Sequence, residues 1–439
     1  MQKRFTLGWL LLGLGSQLQV VASLSITEII VLFIAPCVFV REVPLLKRNG
    51  VLTFFLLALA VFAGCVVASV ANATPFEFVI RGCAVTMLIL CSIVVAHVMI
   101  RLDPNGFKWY LLGAAASSII CTFVFQKAVE TAAIGGDASV EDIMSGPVYW
   151  IGRLWVVAQW PTKALYLHTP MMFDVIVGIG LALFSILTTA SGRSGALILF
   201  AYVVMLILGG KSMRSMRRVS RHFGMVVILG VCGIFLAHFA YRISATSGVL
   251  GEEARNKYER QTQGDKSIGR LVLGGRAAAF VGLLACRDKP IIGWGPWAMD
   301  ENGYTHEFML KYGTDADVRD LYRSERIAVE SGLRRMIPCH AYITEFWCWY
   351  GIAGLIFWLY VLFVLFRYLR QDCWAVPQWY AWIACSIPSV CWGIFFSPFA
   401  DRFGIPLFVV ACLMARAVRN GTFQLPMDMM VEIEKSNRR

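Results

Sequence analysis

Gly251-Glu-Glu-Ala-Arg-Asn-Lys-Tyr-Glu-Arg260 puts six charged residues in ten positions, in a chain that is 58% hydrophobic and only 15% charged. It belongs to a block from Arg242 to Cys339 that holds fifteen Lys and Arg and thirteen Asp and Glu, from totals of 40 and 28. Apolar spans flank this block on both sides, so it reads as an extramembrane loop. With 439 residues and a mean hydropathy of +0.65, the chain has too little polar sequence to cover a soluble globule. The expected class is an all-α polytopic membrane protein, one integral domain over residues 1–439.

Working outward, apolar spans run at about Leu24 to Val40, Val51 to Val70, Phe76 to Ile100, Trp109 to Phe125, Met172 to Thr189, Gly195 to Leu208, Phe223 to Tyr241, Ala341 to Phe366, Trp379 to Phe396 and Gly404 to Ala417. The first of these follows closely on Met1-Gln-Lys-Arg and an apolar run to Val21, and the pair reads as a helical hairpin rather than a cleaved signal peptide. Arg41, Lys47 and Arg48 mark one cytoplasmic turn, and Lys211, Arg214, Arg217, Arg218 and Arg221 mark a stronger one. An even number of spans must separate them, which makes the tryptophan-rich stretch Val148 to Leu165 a further span. The expectation is about twelve transmembrane helices with both termini inside and the 242–339 block outside, between the ninth and tenth spans. Basic residues on cytoplasmic turns also account for the net charge of +12, so no nucleic-acid partner is expected.

Thirteen cysteines are scattered without paired Cys-x-x-Cys spacing. Those in the spans, including Cys37, Cys65, Cys83, Cys91, Cys121, Cys232 and Cys385, read as small buried hydrophobes. Cys286 and Cys339 fall in the polar block, and a disulfide between them is left open.

Three residues carry most of the chemistry. Arg193, in Thr189-Ala-Ser-Gly-Arg-Ser-Gly195, sits between two spans at the outer surface, where a guanidinium is costly unless paired or wet. Arg276, in Leu273-Gly-Gly-Arg276, suits a phosphate because its planar fork of donors binds phosphoryl oxygens in pairs. His340 opens a span, and an imidazole there can take a proton from a hydroxyl. The plainer alternatives are a snorkelling arginine, a solvated loop arginine and a helix-start histidine. Arg81 near an outer helix end, and Glu345 and Asp174 within spans, are secondary candidates for contacting donor phosphates or orienting the main three. Glu28 reads as a packing partner, Asp315-Ala-Asp317 as a chance spacing in a charged loop rather than a metal site, and Phe346-Trp-Cys-Trp-Tyr350 as an interfacial aromatic belt. His97, His222 and His238 have no visible partner.

Ser191-Gly-Arg193-Ser-Gly-Ala-Leu, Arg276 ahead of Pro290-Ile-Ile-Gly-Trp-Gly295, and His340 leading to Tyr350-Gly-Ile-Ala-Gly-Leu355 occur in an order that resembles the O-antigen ligase and polymerase superfamily. The resemblance covers roughly Met172 to Phe366. It implies an inner-membrane glycosyltransferase whose site faces the periplasm and which needs no metal or other cofactor. The donor would be an undecaprenyl-pyrophosphate-linked glycan, and the acceptor lipid A core, as in lipopolysaccharide biosynthesis. It further implies that Arg193 and Arg276 hold the donor pyrophosphate and His340 activates the acceptor hydroxyl. A polymerase using the same donor and a glycan acceptor is the alternative, and a lipid-linked glycan transporter a more distant one.

Overall fold

The computed structural model describes residues 2–16, 18–21, 24–123, 277–313, 336–397, 399, 402–427 and 429–431, with single positions and short runs between 176 and 262. The spans expected at 148–165, 172–189, 195–208 and 223–241 otherwise lie outside the described residues, as do Arg193, Arg276, Asp174, Asp315, Asp317 and His238. The described helices are α1 (Gln2–Gly15), α2 (Ile26–Arg48), α3 (Leu52–Ala71), α4 (Phe76–Leu102), α5 (Phe107–Phe123), α6 (Ala277–Asp288), α7 (Tyr304–Tyr312), α8 (Tyr342–Tyr350), α9 (Ile352–Arg367), α10 (Pro377–Phe396) and α11 (Gly404–Arg419). Four stretches are long and apolar enough to cross a membrane: α2, α3, α4, and α9 together with the π-helical turn Tyr368–Asp372 that continues it.

The N-terminal hairpin forms as expected, with a small addition. Strands β1 (Gln19–Val21) and β2 (Leu24–Ser25) pair antiparallel at its bend. Ser25 then starts α2 with a reciprocal cap: its Oγ accepts the Glu28 N–H at 3.2 Å, and Glu28 Oε2 accepts the Ser25 N–H at 2.7 Å. Glu28 is therefore a capping residue first. Helix α1 lies against α5, where a Cβ at Gly13 would come within 2.1 Å of the Tyr110 carbonyl oxygen and one at Gly113 within 2.3 Å of that of Leu10. Glycine is what lets these two backbones touch.

A buried polar chain ties α2 to α4. Glu42 accepts from His97 Nδ1 at 3.1 Å and from Arg101 Nη2 at 2.7 Å, while Asn49 Nδ2 lies 3.0 Å from His97 Nε2. Both ring nitrogens are satisfied if Nδ1 carries the proton and Nε2 accepts from the amide. His97 is fully buried, so it is a crosslink between helices with partners 48 and 55 residues away, which is why the sequence left it unassigned. His97→Ala is expected to cost about 3 kcal/mol, because it leaves a cavity, strands the Asn49 amide and leaves Glu42 with Arg101 alone inside the bundle. Thermal unfolding in detergent reads it; an unchanged Tm would remove the network from the list of stabilising contacts.

The same contacts fix direction. The C-terminal ends of α2 and α4 meet at Glu42 and Arg101, and those of the α9 stretch and α11 meet through Arg419 Nη1 and Asp372 Oδ1 at 2.9 Å. Helix α3 runs the other way, with Phe54 stacked on Phe357 at 5.4 Å and Gly64 against Tyr350. One end of the bundle thus gathers Lys47, Arg48, Arg101, Arg367, Arg370, Arg416 and Arg419; the opposite end carries Glu28, Asn72, Arg81, Glu345 and Arg402.

Two expectations are corrected. The span from Ala341 to Phe366 is not one helix: it breaks at Gly351, whose φ of 64° and ψ of −149° are open only to glycine, and the membrane-length stretch begins at Ile352. Cys37 is exposed on α2 and not buried, although the other described cysteines named above are buried or half-buried, and all described cysteines are free thiols.

Candidate functional site

The end opposite the basic residues is organised by Lys289-Pro-Ile-Ile-Gly-Trp-Gly295, the motif singled out in sequence. It runs across the break between α8 and α9. Trp294 N–H donates to Cys348 O at 2.7 Å and Gly295 N–H to Trp349 O at 3.1 Å, satisfying carbonyls that the end of α8 leaves free. On the far side of the break, Ile352 N–H donates to Ile291 O at 3.0 Å. Gly293 and Gly295 have φ of +81° and +86°, and a Cβ at Gly293 would lie 2.6 Å from the Gly351 nitrogen. Three glycines are required because two backbones pass here within hydrogen-bonding distance.

Side chains bind the motif to its surroundings. Trp294 Nε1 donates to Ala285 O and Trp347 Nε1 to Pro290 O, each at 2.9 Å. Asn72, at the end of α3, donates to Gly293 O at 3.0 Å and accepts from the Lys289 ammonium, which also lies 3.8 Å from the Trp294 ring centroid. The motif is a clamp that joins α3, α6 and α8. None of these contacts requires a ligand.

Helix α6 lies alongside α8. Gly282 sits against Cys339, and Cys286 Sγ, one turn later, against Thr344 O at 3.8 Å, so the two helices run in the same direction. His340 stands exposed two residues before α8 begins. The N-cap of α8 is Ala341, which offers no side-chain acceptor to the first-turn N–H groups. The free first-turn N–H groups of α8 direct partial positive charge toward His340, which favours an anion there.

Glu345 is 8% exposed on the first turn of α8. Its Oε2 accepts the Phe399 N–H at 3.1 Å, and Arg402 lies within electrostatic reach of it. Arg402 Nη1 is also 3.5 Å from Glu28 Oε1. One guanidinium therefore serves two buried carboxylates, from α2 and α8. Sequence reading missed Arg402, although the charged pair Asp401-Arg402 in a short turn between two apolar spans was there to find it. Arg402→Ala is expected to cost about 3 kcal/mol, because the buried Glu28 carboxylate loses its cation. A second change, Glu28→Gln, is expected to return part of that loss; a Tm unaffected by Arg402→Ala would show the three groups to be independent.

Arg81 is in the same region but is engaged within its own helix, 2.5 Å from Glu77 with both side chains more than half exposed. The expected aromatic belt is instead core: Phe346 and Tyr350 are at most 1% exposed, held by α3, α9 and α10. On α6, Asp288 accepts from the Tyr304 hydroxyl at 2.8 Å and pairs with Arg287 at 3.1 Å. These partners hold its carboxyl below the usual range, while burial and the same carboxylate push the Tyr304 phenol up to about 12. Asp288 therefore contributes at neutral pH and stops contributing as acid protonates it, below its ordinary value of about 4.

The Cys286 thiol meets that of Cys348, and this contact and burial push it well up; the buried Cys339 thiol, beside Cys348, is raised as well. Thiols so held are poor nucleophiles. A maleimide probe at pH 8 is expected to leave Cys286, Cys339 and Cys348 unmodified until the protein unfolds; rapid labelling of any of the three would contradict their packing.

In comparisons with known protein families, curated proteins and solved structures, the chain matches no family model, no curated protein and no solved structure.

Proposed function

We propose that the chain is a lipid-linked glycan transferase of the inner membrane, of the O-antigen ligase type, with about twelve spans and its site at the periplasmic end of the bundle. His340 takes the proton of the acceptor hydroxyl, whose oxygen attacks the anomeric carbon of the donor. The bond from that carbon to the undecaprenyl pyrophosphate breaks, and the configuration inverts. Negative charge collects on the departing diphosphate, where Arg276 and Arg193 stabilise it. Lipid A core is the acceptor in this proposal, with a second glycan chain as the alternative.

The observation that carries the reading is His340, exposed just ahead of the first turn of α8, where free backbone N–H groups favour an anion. Cys339 beside it lies against Gly282 of α6, and Arg276 precedes Ala277, the first described residue of α6, in the chain. A histidine at this helix start is suited to take the acceptor proton, and the proposal brings Arg276 to the donor diphosphate from the neighbouring segment. The clamp at Pro290–Gly295 and the Glu345–Arg402–Glu28 group have positioning roles here: they fix where α8 begins and so where His340 is presented.

The test is direct. Purified protein is given undecaprenyl-pyrophosphate-linked glycan with lipid A core or a second glycan as acceptor, in EDTA. Glycan joined to lipid A core supports the ligase, and glycan joined to glycan supports the polymerase. No joined product with either acceptor, from protein that is folded and membrane-embedded, would sink the reading.

A further inference from the structure

Among the described residues, the basic end of the bundle holds more cationic than anionic side chains. Besides Glu42, which pairs with Arg101, the described carboxylate between α9 and α11 is Asp372, 2% exposed in its side chain, with Arg419 Nη1 at 2.9 Å and Arg367 Nε at 3.8 Å. Arg416 also acts on both Asp372 and Arg367. Three guanidinium groups thus share one carboxylate. Two more approach: Arg370 is exposed one turn past Phe366, and Arg217 lies over the Trp374 ring at 4.8 Å. The basic turn around residue 217 reaches this place because Cys373 Sγ contacts Met216 O at 3.6 Å. Helix C-termini offset part of the excess and leave the rest.

A second feature leads into the same cluster. Leu359, Phe363 and Phe366 are 49%, 53% and 46% exposed, at i, i+4 and i+7 of α9, and Arg370 continues their line. Ile352 and Ile356 extend it in the other direction, so the apolar stripe is about 21 Å long at 1.5 Å per residue, more than the roughly 15 Å of hydrocarbon in one leaflet. Arg367 Nε is buried without a hydrogen-bond partner at the boundary between the two.

We infer that this end binds one anionic phospholipid, its phosphate on Arg367, Arg370 and Arg416 and an acyl chain along Leu359, Phe363 and Phe366. A free phosphate would use only the arginines, and a zwitterionic lipid would bring a cation toward a cluster already in positive excess. The lipid satisfies both halves of the surface. This inference is independent of the transferase reading.

The full-length protein in neutral detergent is titrated with phosphatidylglycerol, with phosphatidylcholine of the same chains, and with glycerol phosphate, and bound adducts are counted by native mass spectrometry. One saturable phosphatidylglycerol per chain is expected, bound in preference to phosphatidylcholine. Arg370→Gln with Arg416→Gln is expected to reduce that preference roughly 25-fold, about fivefold for each arginine lost. If the double variant does not fold, Arg370→Gln alone, at an exposed position, is expected to show about a fivefold loss. Glycerol phosphate is expected neither to bind nor to compete. Equal retention of the two lipids, a preference unchanged in the folded variant, or displacement of the lipid by glycerol phosphate at equal concentration would each overturn the inference.

Discussion

His340→Ala is expected to slow glycan transfer by about 10²- to 10⁴-fold, the usual worth of a positioned general base, while leaving thermal unfolding unchanged. The two halves of that expectation have different origins. His340 is exposed before the first turn of α8, so its removal opens no cavity and strands no buried partner. A loss of rate without a loss of Tm would therefore belong to chemistry and not to folding. Arg276→Ala is expected to act on the same step through the leaving group, and Arg276→Lys to restore only part of the rate, since an ammonium cannot hold two phosphoryl oxygens in a planar fork. Full turnover by either alanine variant would detach these residues from the reaction even if the protein transfers glycan.

The largest effect on stability is expected at Gly351. In Gly351→Ala the new Cβ would lie 2.0 Å from the Ile291 carbonyl oxygen, in backbone that cannot move without breaking the Ile352–Ile291 hydrogen bond. Together with its φ of +64°, this is expected to cost about 4 kcal/mol or more and to abolish recovery of folded protein. Gly50 provides the control. Its φ of +74° is equally left-handed, but nothing lies within 4 Å of the Cβ it lacks, so Gly50→Ala is expected to cost only about 1 kcal/mol. The two sites differ in the close passage of the clamp and in backbone region, since φ of 64° with ψ of −149° at Gly351 is open only to glycine. Equal losses at the two glycines would show that the Pro290–Gly295 segment does not press on the helix break.

Substrate access can be approached through the same junction. The clamp acts on α8 through backbone hydrogen bonds and through Trp294 and Trp347, well away from His340 in sequence. Trp294→Phe keeps the ring and loses the bond to Ala285 O, and is expected to cost about 1 kcal/mol in stability. If α8 is the element that presents His340, the same change is also expected to raise KM or lower kcat; the assay is glycan transfer beside a melting curve.

By itself, the sequence determined the membrane class and the run of the helices. Apolar periods place α3, α4, α10 and α11 within a few residues, and the start but not the end of α2, because in lipid a helix is the only way a single apolar segment satisfies its own backbone. Charge patterning likewise sorted Arg48, Arg101, Arg367 and Arg419 to one end, since each marks the last turn of its own span. Only the tertiary structure decided what depends on contact between distant segments. Gly351 reads as one more glycine in an apolar run until Ile291 is seen crossing it. His97 has no partner until α2 lies beside α4, and Arg402 has no role until Glu28 and Glu345 converge on it from opposite ends of the chain. Hydropathy is a property of each segment alone, whereas a helix break, a buried charge or a clamp is stabilised by groups hundreds of residues away.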